Sequence, residues 1–325
     1  MQSKPQVFIR SDGNSTIGLG HLIRCKSIAD IIKKDYDVTF ITMNIPDSFR
    51  IILESDNINY KEINKEEDFF KSISFNVLVV LDGYHFNTDY QKKIKSRGAK
   101  LICIDDLHEI EFVADLIINH SAGIKHEDYK IKAKTQLALG LDYALLRPAF
   151  LTPIHQKKVN KQGNSLLICF GGSDPKNFTE KILRFININS RIEKINIVLG
   201  SEYNYFTELN NKYSNQNNLI FHYDISEIEM CKVMDESQIA IVPSSTIAIE
   251  AYSRNCLVIT GHTINNQIKN YFGLINFASV FGIGDFNCIS INKLKEVINK
   301  VCVKQIVVNN QLQKNHRLKQ ILKEL

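Results

Sequence analysis

Short unbroken runs of Val, Ile and Leu alternate along the chain with segments whose apolar residues fall three and four apart. The first runs are Val7–Ile9, Val38–Ile41, Val77–Leu81, Leu101–Ile104 and Leu116–Ile118. Continuous apolar runs of this length suit strands buried on both faces, as in a parallel sheet. Between the first two runs, Leu22, Cys25, Ile28, Ala29 and Ile32 make one stripe on a helix. Strand and helix in alternation predict a parallel sheet wrapped by helices. The pattern pauses between Arg147 and Ser165, where Pro148, Pro153, a Lys157-Lys158 pair, Asn160 and Gly163 read as a linker. It then restarts with Leu166–Phe170, Ile195–Leu199, Leu219–Phe221, Ile239–Val242 and Leu257–Ile259. The expectation is an α/β protein with two tandem Rossmann-like parallel-sheet domains, residues 1–150 and 164–325. Such domains bind ligands at the carboxyl ends of their strands, and two facing each other enclose a cleft. Ile291–Val301 and Leu312–Leu325 read as late helices, the last a candidate to cross back and brace the first domain.

Composition narrows the class. The 325 residues carry 40 Lys and Arg against 35 Asp and Glu. The basic residues are scattered in short pairs such as Lys33-Lys34 and Lys92-Lys93, which suit solvated helix faces better than a nucleic-acid surface. The Met1–Pro5 start leads into a short apolar strand rather than the longer apolar region of a secretory signal, and no run is long enough to span a bilayer, so a cytoplasmic protein without membrane insertion is expected. The seven cysteines (Cys25, Cys103, Cys169, Cys231, Cys256, Cys288 and Cys302) are odd in number, widely spaced and form no Cys-x-x-Cys. They read as reduced, mostly buried thiols rather than zinc ligands.

Candidate chemistry falls at strand ends. The loop from Arg10 to His21, Arg-Ser-Asp-Gly-Asn-Ser-Thr-Ile-Gly-Leu-Gly-His, joins the first strand to the first helix. Its glycines, Gly18 and Gly20 among them, let backbone approach a ligand closely. His21 near the helix start is a candidate base, and Asp12 an acidic partner; the same residues fit a plain Gly-rich turn. A nicotinamide site fits poorly, since the third glycine and the ribose-binding acid of that fingerprint are missing. After the next central strand comes Asp82-Gly83-Tyr84-His85, where Asp82 could accept from sugar hydroxyls, orient a histidine or cap a turn, and Tyr84 could donate a hydrogen bond. Asp105-Asp106, followed by His108 and Glu109, suits a structural or substrate-orienting role better than a metal.

The second domain offers two phosphate-binding candidates: Gly171-Gly172 within Phe170–Pro175, and Ser244-Ser245-Thr246 at a helix start, with Glu250 one turn on. Helix N-termini rich in small hydroxyl residues bind diphosphate, and the carboxylate is placed for ribose hydroxyls. Ordinary N-capping by Ser245 or Thr246 predicts the same residues. Asn266 and Gln267 suit sugar hydroxyls or a phosphate, and equally an ordinary polar helix start.

Taken in order, FIRSDGNSTIGLGHLIRC, LDGY, ICIDDL, ADLIINHSA, LGLDYALLRPAF, ICFGGSDPKN, SSTIAIEA and NNQ resemble the PseG-type UDP-sugar hydrolases of pseudaminic acid biosynthesis, within the glycosyltransferase-B (GT-B) superfamily. The resemblance covers nearly the whole chain. It implies the GT-B fold and cleavage of UDP-2,4-diacetamido-2,4,6-trideoxy-β-L-altropyranose by inverting attack of water, without metal or cofactor and with the UDP-sugar as partner; a monomer is expected. It implies that His21 is the base, that Tyr84 assists, and that Ser245, Thr246, Glu250, Asn266 and Gln267 meet UDP and sugar. Asp12 matches the acidic residue of the first loop. Ser244 stands where many relatives have Gly, and Phe277–Asn292 matches nothing in the family's pattern. A GT-B glycosyltransferase using the same donor, and a non-catalytic nucleotide-sugar-binding protein, are the alternatives; spore-coat polysaccharide proteins share much of the pattern. Acceptor-free turnover separates the first from a hydrolase, and UDP binding without turnover marks the second.

Overall fold

The computed structural model describes residues 4–14, 19–132, 134–152, 164–186, 192–303, 312 and 317–324. The chain divides into two compact units: Met1–Pro148 with His316–Leu325, and Ala149–Asn315.

Unit 1 runs β1 (Gln6–Ser11), α1 (Gly20–Ile32), β2 (Asp37–Thr42), α2 (Asp47–Ser55), β3 (Asn59–Glu62), α3 (Glu66–Ser72), β4 (Leu78–Asp82), α4 (Thr88–Lys95), β5 (Lys100–Ile104), β6 (Glu111–Phe112), β7 (Leu116–Asn119), β8 (Lys130–Ile131) and β9 (Gln136–Leu139). Seven of these strands form one parallel sheet in the order β3-β2-β1-β4-β5-β7-β9, while β6 and β8 pair separately. Alternation along the strands divides the core between the two faces of the sheet. Val7 and Ile9 of β1, with Leu78 and Val80 of β4, pack in one cluster with Leu22, Cys25 and Ile28 of α1. Phe8, Val79 and Leu81 pack in the other with Phe69, Phe86 and Ile94. Both faces are covered, which is why these strands read as unbroken apolar runs.

Unit 2 runs β10 (Asn164–Cys169), α5 (Phe178–Ile186), β11 (Ile192–Leu199), α6 (Phe206–Tyr213), β12 (Leu219–Tyr223), α7 (Glu227–Glu236), β13 (Ile239–Pro243), α8 (Thr246–Ser253), β14 (Leu257–His262), α9 (Ile268–Leu274), β15 (Val280–Asp285) and α10 (Ile291–Val303). Its parallel sheet has the order β12-β11-β10-β13-β14-β15. Leu294, Val297, Ile298 and Val301 of α10 are buried at helical spacing, packed in the core with Ile259 and Phe281.

The final helix, α11 (Leu318–Lys323), belongs to unit 1. Leu318 and Leu322 are fully buried in the cluster that holds α1, and the Arg317 N–H donates to the Asp142 carbonyl at 2.7 Å. In each sheet the strand order reverses once, between β1 and β4 in unit 1 and between β10 and β13 in unit 2. Loops at such a switch point diverge and leave a crevice at the strands' carboxyl ends. Among the described residues, no helix is long and apolar enough to cross a membrane.

Candidate active site

The switch point of unit 1 gathers His21, Arg24, Asp82, Tyr84 and Asp106. His21 is the second residue of α1, and Asp82 is the last residue of β4, in register with Ser11 of β1. Both are buried. His21 Nδ1 lies 2.7 Å from Asp82 Oδ1. Arg24, one turn further along α1, donates Nε to Asp82 Oδ2 at 2.5 Å and an Nη to Asp82 Oδ1 at 2.7 Å. That Nη also sits 2.9 Å from His21 Nδ1. A carboxylate oxygen this close to Nδ1 requires the proton to be there, so Nδ1–H donates to Asp82 and the guanidinium contact is proximity rather than a bond. This assignment follows from the donor and acceptor inventory. It leaves Nε2 as the basic nitrogen of His21.

Electrostatics fix the pair. Burial pushes the Asp82 carboxyl up, but the charge and hydrogen bonds of Arg24, with His21 adding to them, outweigh this and hold it below the usual carboxylate range. Burial disfavours the Arg24 cation, yet Asp82 and Asp106 raise its pKa well above the ordinary value. Arg24 thus stays charged, Asp82 stays ionised, and His21 is held in one tautomer.

A second branch leaves Arg24. Its other Nη donates to Asp106 Oδ2 at 2.9 Å, and the Tyr84 hydroxyl donates to the same oxygen at 3.1 Å. The Tyr84 ring stands edge-on to His21, centroids 4.7 Å apart at 79°. Tyr84 is exposed, so its hydroxyl is reachable from solvent beside the histidine. Asp105, by contrast, turns inward: it accepts from the Leu107 and His108 N–H groups and from the Tyr129 hydroxyl. Its role is to shape the turn, and burial pushes its carboxyl up. Among the described residues, no three His, Cys, Asp or Glu side chains cluster as a metal site.

Asp12 is engaged elsewhere. Its Oδ1 accepts from the Thr42 hydroxyl and from the Met43 and Asn44 N–H groups, and its Oδ2 pairs with the fully buried Arg10 at 2.8 Å. Asp12 ties the loop after β1 to the loop after β2. Asp82, grouped from the sequence with the sugar binders, has both oxygens engaged by His21 and Arg24. Gly20 opens α1, and a Cβ there would meet open space; Gly18 lies outside the described residues.

In unit 2 the other predicted residues lie beyond the carboxyl ends of β10, β13 and β14. Gly171 takes a left-handed φ of 85° in the turn after β10, a conformation that favours glycine. Gly172 lies so near Gly200 that a Cβ on Gly200 would come 2.4 Å from the Gly172 carbonyl oxygen. Ser245 holds the N-cap position of α8 but its side chain makes no capping bond, so the simple capping reading does not account for it. The Ser244 hydroxyl donates to the Gln267 carbonyl at 3.2 Å, and Asn270 Nδ2 donates to the Ser244 carbonyl at 3.0 Å. These bonds join the turn after β13 to the 3-10 turn Asn265–Gln267. Gln267 Oε1 accepts from Thr263, while Asn266 sits beside it in that turn. Glu250 is buried on α8.

Sequence reading left out Arg24 and left the role of Asp106 open. The available signal was spacing: His21 and Arg24 are three apart, on one helical face otherwise made of Leu22, Cys25 and Ile28, where an unpaired cation would be costly.

The fold defined by these two units is that of the nucleotide-sugar glycosyltransferases of GT-B type. It matches the crystal structure of MurG from Acinetobacter baumannii with a TM-score of 0.64 over 98% of both chains, at 11% identity. It also matches TcCGT1 in complex with UDP, with a TM-score of 0.62 over 98% of this chain and 94% of that one, at 11% identity. No family model matches the sequence. The UDP-2,4-diacetamido-2,4,6-trideoxy-beta-L-altropyranose hydrolase of Campylobacter jejuni is 30% identical over 261 residues, 76% of this chain and 87% of that protein, and the chain belongs to its family. An uncharacterized protein of Methanocaldococcus jannaschii is 28% identical over 261 residues; the match spans only 53% of that relative's length.

Proposed function

We propose that the protein hydrolyses a UDP-linked diacetamido-trideoxy hexose to UDP and the free sugar, as a step in pseudaminic acid biosynthesis. The observation that carries this reading is the Asp82–His21 pair, whose 2.7 Å hydrogen bond at Nδ1 leaves Nε2 basic. A base held in one tautomer at a strand-end crevice is what deprotonating a water requires.

In this reading the water oxygen attacks the anomeric carbon as its proton passes to His21 Nε2. The bond from that carbon to the β-phosphate oxygen breaks, and its electron pair leaves with UDP. Attack opposite the leaving group inverts the configuration in one displacement. Asp82, kept ionised by Arg24, stabilises the imidazolium that forms. Tyr84, beside the ring, orients the water or a sugar hydroxyl. Asp12 acts through the loop it holds.

Unit 2 takes the nucleotide. The backbone at Gly171-Gly172 and at the start of α8, with the Ser245 and Thr246 hydroxyls, receives the diphosphate, where N–H groups stabilise the charge that develops on UDP. Ser244 sets the turn, Glu250 takes the ribose hydroxyls, and Asn266 and Gln267 reach the phosphate and sugar.

The test is to incubate the protein with the UDP-diacetamido sugar and follow UDP and the anomeric product by NMR. Acceptor-free release of UDP and the inverted sugar is expected, with His21→Ala losing about 10²–10⁴ of the rate while still binding UDP. Release that appears only when an acceptor alcohol is added assigns a glycosyltransferase instead.

A further inference from the structure

Behind the Arg24–Asp106 pair lies a cavity of about 80 Å³ at the carboxyl ends of β4 and β5, and it shares Arg24, Asp82 and Tyr84 with the histidine site. One water needs only about 10–15 Å³ by the same measure, so the space can take a group larger than one water.

Its lining is unusual in what it leaves unused. Asp106 Oδ1 is buried and has no hydrogen-bond partner, although Oδ2 has two. Buried polar atoms are almost always paired, so an orphan acceptor at a cavity wall points to something that arrives. Gln91, only 1% exposed, also lines the space. Its Oε1 accepts from the Val113 N–H at 3.0 Å, and its amide nitrogen makes no hydrogen bond to the described residues, leaving it as a donor. Phe86, Ile110 and Phe112 supply an apolar wall.

One acceptor, one donor and an apolar wall complement a secondary amide that ends in a methyl group. We infer that this cavity is a subsite for one acylamino substituent of the sugar, its N–H bonding Asp106 Oδ1, its carbonyl accepting from Gln91, and its methyl meeting Phe86, Ile110 and Phe112. The inference rests on the nucleotide-sugar reading above and deepens it. The charge at the site supports a neutral group. Asp105, Asp106 and Glu109 all line the space and oppose a phosphate, and the positive charge of Arg24 is already spent on Asp82 and Asp106. A hydroxyl alone would use the acceptor but leave the aromatic wall facing water.

The test compares kcat/KM for the UDP-diacetamido sugar with that for each counterpart carrying hydroxyl in place of one acetamido group. Wild type should discriminate against one of the two by at least about 30-fold, within the range for sites that hydrogen-bond a substituent. Gln91→Glu keeps an oxygen for the Val113 N–H but turns the donor into an acceptor, and should reduce that ratio at least tenfold, a change that general destabilisation would not select. Equal kcat/KM for all three sugars in wild type, or an unchanged ratio in Gln91→Glu, overturns the subsite.

Saturation-transfer NMR on the free diacetamido hexose reads the contact without turnover. Saturation of one acetyl methyl by wild type, lost in Ile110→Trp, supports the subsite even where no UDP-sugar is hydrolysed, in which case only the hydrolase reading falls. No acetyl saturation in wild type overturns the subsite, whatever is hydrolysed.

Discussion

His21 and Arg24 sit three residues apart on one helical face and converge on a single carboxylate, so the candidate base, the group that orients it and its counterion form one unit. Asp82→Asn puts an N–H₂ where either His21 or Arg24 needs an acceptor. We expect kcat to fall about 10²–10³-fold with UDP binding intact, measured by steady-state kinetics beside UDP titration. His120 gives a pH prediction. Its Nδ1 accepts from the Leu145 N–H, and burial together with the nearby Arg24 cation lowers its pKa from 6.5 to about 4. The folded protein thus resists a proton that the unfolded chain accepts. Stability is full above the unfolded value and is lost as pH falls from about 6.5 towards 4. Because the ring is only partly buried, the loss is discounted to about 1–2 kcal/mol. Urea unfolding at pH 7 and 4.5 should show it in wild type and not in His120→Asn. At this scale the sequence brought out His21 and its candidate neighbours through their loops, but not their partnership. Asp82 follows His21 by 61 positions, and only the pairing of β1 with β4 brings them together.

Elements were legible where burial made the pattern and hidden where it did not. The central strands announce themselves because both faces are covered. β3, Asn-Tyr-Lys-Glu, is an edge strand with little buried surface, and β15 is broken by Gly282 and Gly284; neither makes an apolar run, and both escaped sequence reading. Gly200 escaped for a different reason, since its purpose lies in another loop. Gly200→Ala must push the Gly171-Gly172 turn aside, and overpacking of this kind costs about 1–3 kcal/mol. Calorimetry should show that loss together with weaker UDP binding, if that turn holds the diphosphate. On α11, Leu318→Ala empties a fully buried site against α1 and should cost about 2–5 kcal/mol by chemical denaturation.

For the whole molecule, nucleotide and base are assigned to different units, so binding and chemistry should come apart under mutation. UDP at 100 times its dissociation constant should add about 2.7 kcal/mol to stability, seen as a rise in melting temperature. Thr246→Ala and Glu250→Ala should shrink that rise, whereas His21→Ala should keep it. A rise untouched by all three variants would place the nucleotide elsewhere. The two-sheet plan was readable from the recurrence of strand and helix, because each repeat buries itself locally. The return of the last helix was readable only as a candidate, since nothing within residues 312–325 names the surface they cover.

That return has a consequence for biogenesis. Unit 1 is completed only after unit 2 has been made: until Leu318 and Leu322 clear the ribosome, α1 has no cover for the patch that they seal. A nascent chain therefore carries an open apolar seam beside α1 throughout synthesis of the second unit, the kind of surface that chaperones recognise. A premature stop just before Leu318 would remove no candidate site residue and still uncover the helix that carries His21.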